Sequence, residues 1–326
     1  MSALEPRTLG RAGHVESYFF RANDPRAPRA LWVKATILAP LVGPPVAEAW
    51  FIWFDGDRVS AHKETVPYAE ASFSATNIQV GPLRLGLGAD PLQIQGQVSK
   101  LKLSLALEAR RAPGLLGQPF SLYPEALLRG AFPRSKILTP AACLSVTGAL
   151  ELDGQRIELD GWSGMLGHNW GKEHARQYAW GQCLFLDARG VPEAMVEGFS
   201  GKVEVLGRRT PWVSALIVRR GSEEFRFDRL YDLWAQNAVI DRRSWELSLS
   251  GPGGEAHLMM RAPDRPWACL GYQNPDGRLS YCFNTKLAEV ELKVQPRQGH
   301  AFVLRSAHGG ALELLRDTAE PNLEVV

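Results

Sequence analysis

Leu101-Lys102-Leu103-Ser104-Leu105-Ala106-Leu107-Glu108 is apolar at nearly every second position. Successive side chains of an extended chain point to opposite faces, so this period marks a strand with one buried and one solvated face. The pattern recurs along the chain. Ala288, Val290, Leu292 and Val294 alternate with Glu289, Glu291 and Lys293. Leu150 and Leu152 precede Asp153-Gly154, and Ile157 and Leu159 follow it. Asp-Gly between alternating segments predicts a tight hairpin, because such turns need positive φ. Asp55-Gly56-Asp57 and Asn274-Pro275-Asp276-Gly277 predict further turns. Strands spaced roughly 8 to 12 residues apart point to sandwiches or barrels.

Composition agrees. The 326 residues are 45% hydrophobic and 22% charged, as in an ordered globular protein. At roughly 150 residues per domain the length suggests two domains. The 31 Gly and 22 Pro favour many short elements over a helical bundle. Helix is expected only as one short turn over Pro124 to Arg129. The stretch from Arg111 to Pro140, rich in Pro and Gly, is expected to cross the surface or to close over a pocket.

Thirty-seven basic against 35 acidic residues leave a net charge of +2, which argues against a nucleic-acid partner. Cys143, Cys183, Cys269 and Cys282 form no C-x-x-C pair. They read as reduced, mostly buried thiols, not a disulfide framework or a zinc site. No apolar core follows Met1 to Arg11, so no secretory signal is expected. The longest apolar stretch, Ala49 to Phe54, is strand-sized, far short of the roughly 18 to 20 residues of a spanning helix. These features predict a soluble, cytoplasmic protein, with contact at a membrane surface left open. The oligomeric state is not readable.

The segment richest in chemistry runs from Gly161 to Cys183. Glycines at 161, 164, 167, 171 and 181 permit bends and close backbone approach. Trp162, Trp170 and Trp180 supply apolar walls, while His168, Asn169 and Gln182 supply positioned polar groups. That mixture suits an apolar pocket with a few orienting contacts. A Gly-rich barrel corner with structural tryptophans is the plainer reading of the same composition.

Gly164-Met165-Leu166-Gly167-His168-Asn169-Trp170-Gly171 resembles the G-x-x-x-H-x-W-G signature of the carotenoid 1,2-hydratase (hydroxyneurosporene synthase) family. Asn169-Trp170-Gly171 with Tyr178-Ala179-Trp180-Gly181-Gln182-Cys183 resembles the N-W-G…W-x-W-x-Q-C segment of tocopherol cyclases, and Glu16-Ser17-Tyr18-Phe19-Phe20 resembles their early E-x-W-Y-F segment. The resemblance implies an all-β chain of two lipocalin-like antiparallel β-barrel domains with little helix. By analogy with that superfamily, residues 1–172 and 173–326 form the two. A boundary near residue 130 is the alternative.

The resemblance also implies a chemistry. Hydrating or cyclising an unactivated alkene begins with protonation to a tertiary carbocation, which needs a strong acid in a dry pocket. The family's hydratases place an acidic residue directly before the motif His, where this chain has Gly167. The candidate acids are therefore His168, Glu173 and Asp160. Trp162, Trp170, Tyr178 and Trp180 are candidates to bind the ligand or shield a cation, with Asn169 and Gln182 orienting it. Each has a plainer role: His168 capping a turn, Glu173 solvated, Asp160 in a turn, Asn169 satisfying buried backbone. His174 follows His168 by six positions without the H-E-x-x-H form, so no metal site is expected.

A second aromatic group surrounds Trp50, Phe51, Trp53 and Phe54, near Trp32. Both faces of that strand are apolar. It fits a barrel wall whose lumen takes a hydrophobic ligand, with Trp53 among the ligand contacts, or equally a strand pressed between two domains. Trp212, Trp234, Trp245 and Trp267 follow in the second half. No P-loop, no G-x-S-x-G and no G-x-G-x-x-G before a helix is present.

The sequence thus points to a lyase, cyclase or isomerase, with no cofactor, acting by acid catalysis on an isoprenoid or other hydrophobic small molecule. The alternative is a lipocalin-like carrier or sensor without chemistry, and filled structural barrels come third. On the first reading His168→Ala abolishes turnover and leaves the fold intact.

Overall fold

The computed structural model describes residues 3–130, 132–202, 204–205, 208–229, 236–320 and 323–326. Trp234 lies outside them. The regular structure of the described residues is nearly all strand, with one short α-helix, Glu125–Arg129, and three 3-10 turns. Two large antiparallel sheets carry it. Across the first, the strands run Arg58–Pro67, Val46–Asp55, Arg29–Ala39, His14–Asn23, Trp162–Gly171, Ser135–Leu152, Leu103–Arg111, Leu92–Val98, Leu83–Gly86, Asn77–Val80 and Ser72–Phe73. Across the second they run Glu223–Phe227, Val213–Arg220, Pro192–Lys202, Gln177–Leu186, Phe302–Arg316, Leu279–Pro296, Gly254–Arg261, Ser244–Gly251 and Gln236–Ile240. Gln155–Glu158 and Ala268–Gln273 pair beside these paths. Both sheets share one winding, in which the first strand lies between the second and the last.

The alternation that predicts the strands sets their burial. Leu103, Leu105, Leu107 and Ala109 are buried, while Glu108 and Arg110 are exposed. The strand starts at Leu103, later than the apolar period suggests, because Ser99–Leu101 forms a 3-10 turn and Lys102 takes φ +44°. Asp153 and Gly154, at φ +49° and +79°, make the predicted hairpin, with Leu152 opposite Gln155. Each sheet curls until distant strands meet. Asn77–Val80 touches Arg29–Ala39 and Val46–Asp55, and Gln236–Ile240 touches Val213–Arg220. Leu31, Phe51, Ile78 and Leu107 fill the first interior, and Phe225, Trp245, Leu258 and Leu292 the second.

A third apolar cluster joins the outer faces of the two sheets. It explains the strand with two apolar faces. Phe51 and Trp53 point into the first interior, while Trp50, Ile52 and Phe54 meet the other sheet. Trp53 stacks on Trp162 at 5.9 Å between ring centroids, inside a filled core. Burying each such aromatic ring contributes roughly 2–3 kcal/mol. All four cysteines are free and buried. Among the described residues no helix is long and apolar enough to cross a membrane.

Candidate functional site

Strand parity decides what the signature segment can reach. In Trp162–Gly171, Trp162, Leu166 and His168 point into the first interior, whereas Met165, Gly167 and Asn169 point toward the second sheet. In Gln177–Leu186, Ala179 and Cys183 point inward, and Tyr178, Trp180 and Leu184 point toward the first sheet. Gln182 shares the parity of that second set. Adjacent motif residues therefore serve different compartments.

His168 is fully buried, and its ring stacks on Tyr18 at 4.1 Å. Its Nε2 lies 2.8 Å from Glu16 Oε1 and its Nδ1 3.2 Å from the carbonyl oxygen of Ala3. The Glu16 carboxylate also accepts from the backbone of Arg7 and Thr8 and from the Thr8 hydroxyl. Burial works against the charge on Glu16, but these donors hold its carboxyl below the usual range. His168 and Glu16 thus fasten the N-terminal segment over the end of the first interior. Trp170 stands beside the His168 ring at 4.8 Å, with the Arg7 guanidinium over it. Gly167 is there for space. A Cβ would lie 2.1 Å from the Phe19 ring, so any side chain at this position requires that ring to move.

Between the sheets lies a cavity of about 260 Å³. Phe19, Trp32, Tyr178, Trp180, Phe199 and Tyr272 form its walls. The segment predicted to cross the surface borders it through Tyr123, Phe132, Pro133 and Arg134. Of the residues singled out in the sequence, Asn169, Glu173, Tyr178 and Trp180 line it. Glu173 lies between Arg134, 3.0 Å away, and Arg278, 3.5 Å away. Gln182 sits in the buried layer between the sheets, bonded to the Arg21 guanidinium and, at 3.2 Å, to the carbonyl of Ala142. His168, Trp170, Trp162 and Trp53 do not line the cavity. Asp160 is an exposed turn residue, its carboxylate 3.3 Å from the Gly148 N–H.

Beside His174 and Tyr178, the deep end holds polar groups from strands that carry no sequence motif, among them Lys34, Asn284, Lys286 and Glu313. Lys34 is 3% exposed, and its Nζ stands 3.8 Å from the Tyr272 ring centroid and 5.9 Å from those of Trp32 and Trp50. The His174 ring lies 4.9 Å from the same Tyr272 ring. Glu313 accepts from Lys286 Nζ at 2.6 Å and from Asn284 Nδ2 at 3.0 Å. The Tyr178 hydroxyl is 3.8 Å from Cys282 Sγ. Behind the indole of Trp180, Glu197 accepts from Trp180 Nε1 at 3.2 Å and from Thr139 Oγ1 at 2.8 Å.

Burial drives these groups toward neutrality. It brings the Lys34 ammonium down to about 8, against the pull of Glu313. Burial, then the charges of Lys34 and Arg278, bring His174 down to about 3, leaving a neutral imidazole. Burial first, then Cys282 and Glu313, hold the Tyr178 and Tyr272 phenols well above their usual range as neutral donors. Glu197 rises to about 7 by burial despite its two hydrogen bonds. The cavity thus offers an apolar wall, a weak ammonium acid, a neutral imidazole and phenolic donors. Among the described residues no group of three or more His, Cys, Asp or Glu is placed to hold a metal ion.

No family model matches the chain. It is 26% identical over 324 residues to the uncharacterized protein Rv0493c of Mycobacterium tuberculosis, across 99% of this chain and 93% of that one. Its fold is similar to that of CghA, with a TM-score of 0.59 and 12% identity over 98% of each chain. Kievitone hydratase from Nectria haematococca gives a TM-score of 0.57 and 11% identity over 97% of this chain and 92% of that one. A candidate AttH from Nitrosomonas europaea gives 0.59 and 12%, over 93% and 92%. At such identities the likeness is one of fold.

Proposed function

We propose that this chain is a cofactor-independent lyase, cyclase or isomerase. It binds a hydrophobic small molecule between its two sheets and moves a proton at the cavity's deep end. The observation that carries this reading is the placing of Lys34 and His174 against one tyrosine ring, where burial lowers the proton affinity of both, leaving an ammonium near 8 beside a neutral imidazole. Lys34 is the acid, the neutral His174 imidazole orients the ligand by hydrogen bonding, and the Tyr178 and Tyr272 hydroxyls do the same. Trp180, Asn169 and Glu173 are ligand contacts nearer the entrance.

The strength of the acid narrows the chemistry. An ammonium that titrates near 8 is far too weak to protonate an isolated alkene to a carbocation. It suits a double bond conjugated to oxygen, where the proton is delivered to an enolate or removed next to a carbonyl. Both carboxylates of the cavity, Glu173 and Glu313, are engaged by cations. The resemblance of its motifs to carotenoid 1,2-hydratases and tocopherol cyclases, with a fold similar to that of a kievitone hydratase, supports addition or loss of water, or internal ring closure, at such a bond. Hydration adds one water, and cyclisation moves a proton without changing composition.

A carrier is the second reading, favoured by those same ion pairs, which leave neither cavity carboxylate as a ready acid. The test is incubation in D2O with hydrophobic α,β-unsaturated ketones and with an organic extract of the native host, followed by mass spectrometry. The enzyme reading predicts a product with carbon-bound deuterium from the wild type and none from Lys34→Met. Compounds that bind tightly and are recovered unchanged and unlabelled would establish the carrier instead.

A further inference from the structure

We infer that the ligand of this cavity carries an oxyanion, a carboxylate or an acidic enol or phenol, on an apolar skeleton, and that Lys34 seats it. The inference rests on reading the cavity as the ligand site, and adds the class of ligand. An ammonium withdrawn from water costs several kcal/mol unless a counter-charge and hydrogen bonds replace its solvation. Lys34 is nearly so: it is almost wholly buried and meets solvent only through the cavity it lines. Among the described residues it has no hydrogen bond and no ion pair; the rings of Trp32, Trp50 and Tyr272 stand around it, and Glu313 and Glu48 act on it only from a distance. Cation–π contacts of this kind return only part of the lost solvation.

The nearby carboxylates are committed elsewhere. Glu313 is bound by Lys286 and Asn284, and Glu48 faces Lys63 at 4.0 Å. Lys34 and Lys286 thus share one carboxylate between them, and the surplus positive charge is the one that lines the cavity. A ligand oxyanion against Lys34 would complete the pair among apolar walls, where charge-assisted bonds are strengthened. The Tyr178 and Tyr272 phenols, which also line the cavity, are of a type to donate to the same oxygen. Toward solvent, Arg134, Arg176 and Lys202 border the opening and favour entry of an anion.

The experiment compares two fluorescent probes with one aromatic skeleton. One is 1-anilinonaphthalene-8-sulfonate, an oxyanion. The other is N-phenyl-1-naphthylamine, its neutral counterpart. The wild type is expected to bind the sulfonate at least about tenfold more tightly. Lys34→Met is expected to erase that preference and keep its affinity for the neutral amine, which also reports a folded cavity. Lys293→Gln, exposed and away from the cavity, is expected to retain the preference. Equal affinity for the two probes in the wild type overturns the inference without need of any variant, as does a preference that survives Lys34→Met. Failure of both probes to bind the wild type overturns the reading of the cavity itself.

Discussion

Lys34 is held in the folded chain at an energetic disadvantage, and that disadvantage is measurable. Its ammonium falls from an ordinary 10.5 to about 8 on folding. The unfolded chain therefore keeps the proton longer, so the burden on stability is full below about pH 8 and fades as pH rises toward 10.5. Lys34→Met is expected to stabilise the protein by on the order of 3 kcal/mol at neutral pH and by less at pH 10, read by chemical denaturation. A loss of stability at neutral pH would contradict the account of an uncompensated charge. Glu197 has the opposite dependence. Its folded value, about 7, lies above the ordinary 4.5, so its contribution is present at low pH and is lost as pH rises through 7. Glu197→Gln should raise the melting temperature at pH 8 and leave it nearly unchanged at pH 4. His168→Ala removes a donor from the buried Glu16 carboxylate and opens a void beside Tyr18. The expected cost is about 2–4 kcal/mol, with residues 3–13 more exposed to protease. Placed in this way, His168 bears on stability where the sequence pointed to turnover.

At the scale of the element, period two was legible and compartment was not. The Asp153-Gly154 hairpin could be placed from residues alone because its backbone demands positive φ. Gly154→Ala meets no atom within 4 Å, so its expected cost of about 1 kcal/mol is purely one of backbone conformation. The strand Arg29–Ala39 is buried throughout beyond its first residue, and nothing in an apolar run says which face meets the other sheet. Its one interior charge, Lys34, was the available signal. Glu197 and Lys286 stand in similarly buried strands. A lysine or glutamate inside an unbroken apolar strand requires a reason, and here the three surround the space between the sheets. The motif itself misdirected attention, because His168 and Asn169 are neighbours in sequence and face opposite sides of one sheet.

The whole molecule is two curled sheets of the same winding joined through their outer faces. That shared face carries Trp32 and Trp50 of the first half as well as the cavity, so neither half presents the site alone. We propose that the chain divides after Lys172. Residues 1–172 expressed alone would expose Trp32, Trp50, Ile52 and Phe54 together, and are expected to aggregate unless co-expressed with residues 173–326. The barrel interiors, where lipocalin-like analogy first places a ligand, are filled by side chains such as Trp53 and Trp162. The most direct test of the cavity as the binding site is to fill it. Gly201 lines it, and a Cβ there meets nothing closer than 3.7 Å, so Gly201→Trp can enter without backbone strain. N-phenyl-1-naphthylamine titrated into the wild type should give saturable binding. That binding should vanish in Gly201→Trp and persist in Trp53→Phe. Undiminished binding to Gly201→Trp would place the ligand elsewhere and contradict the account.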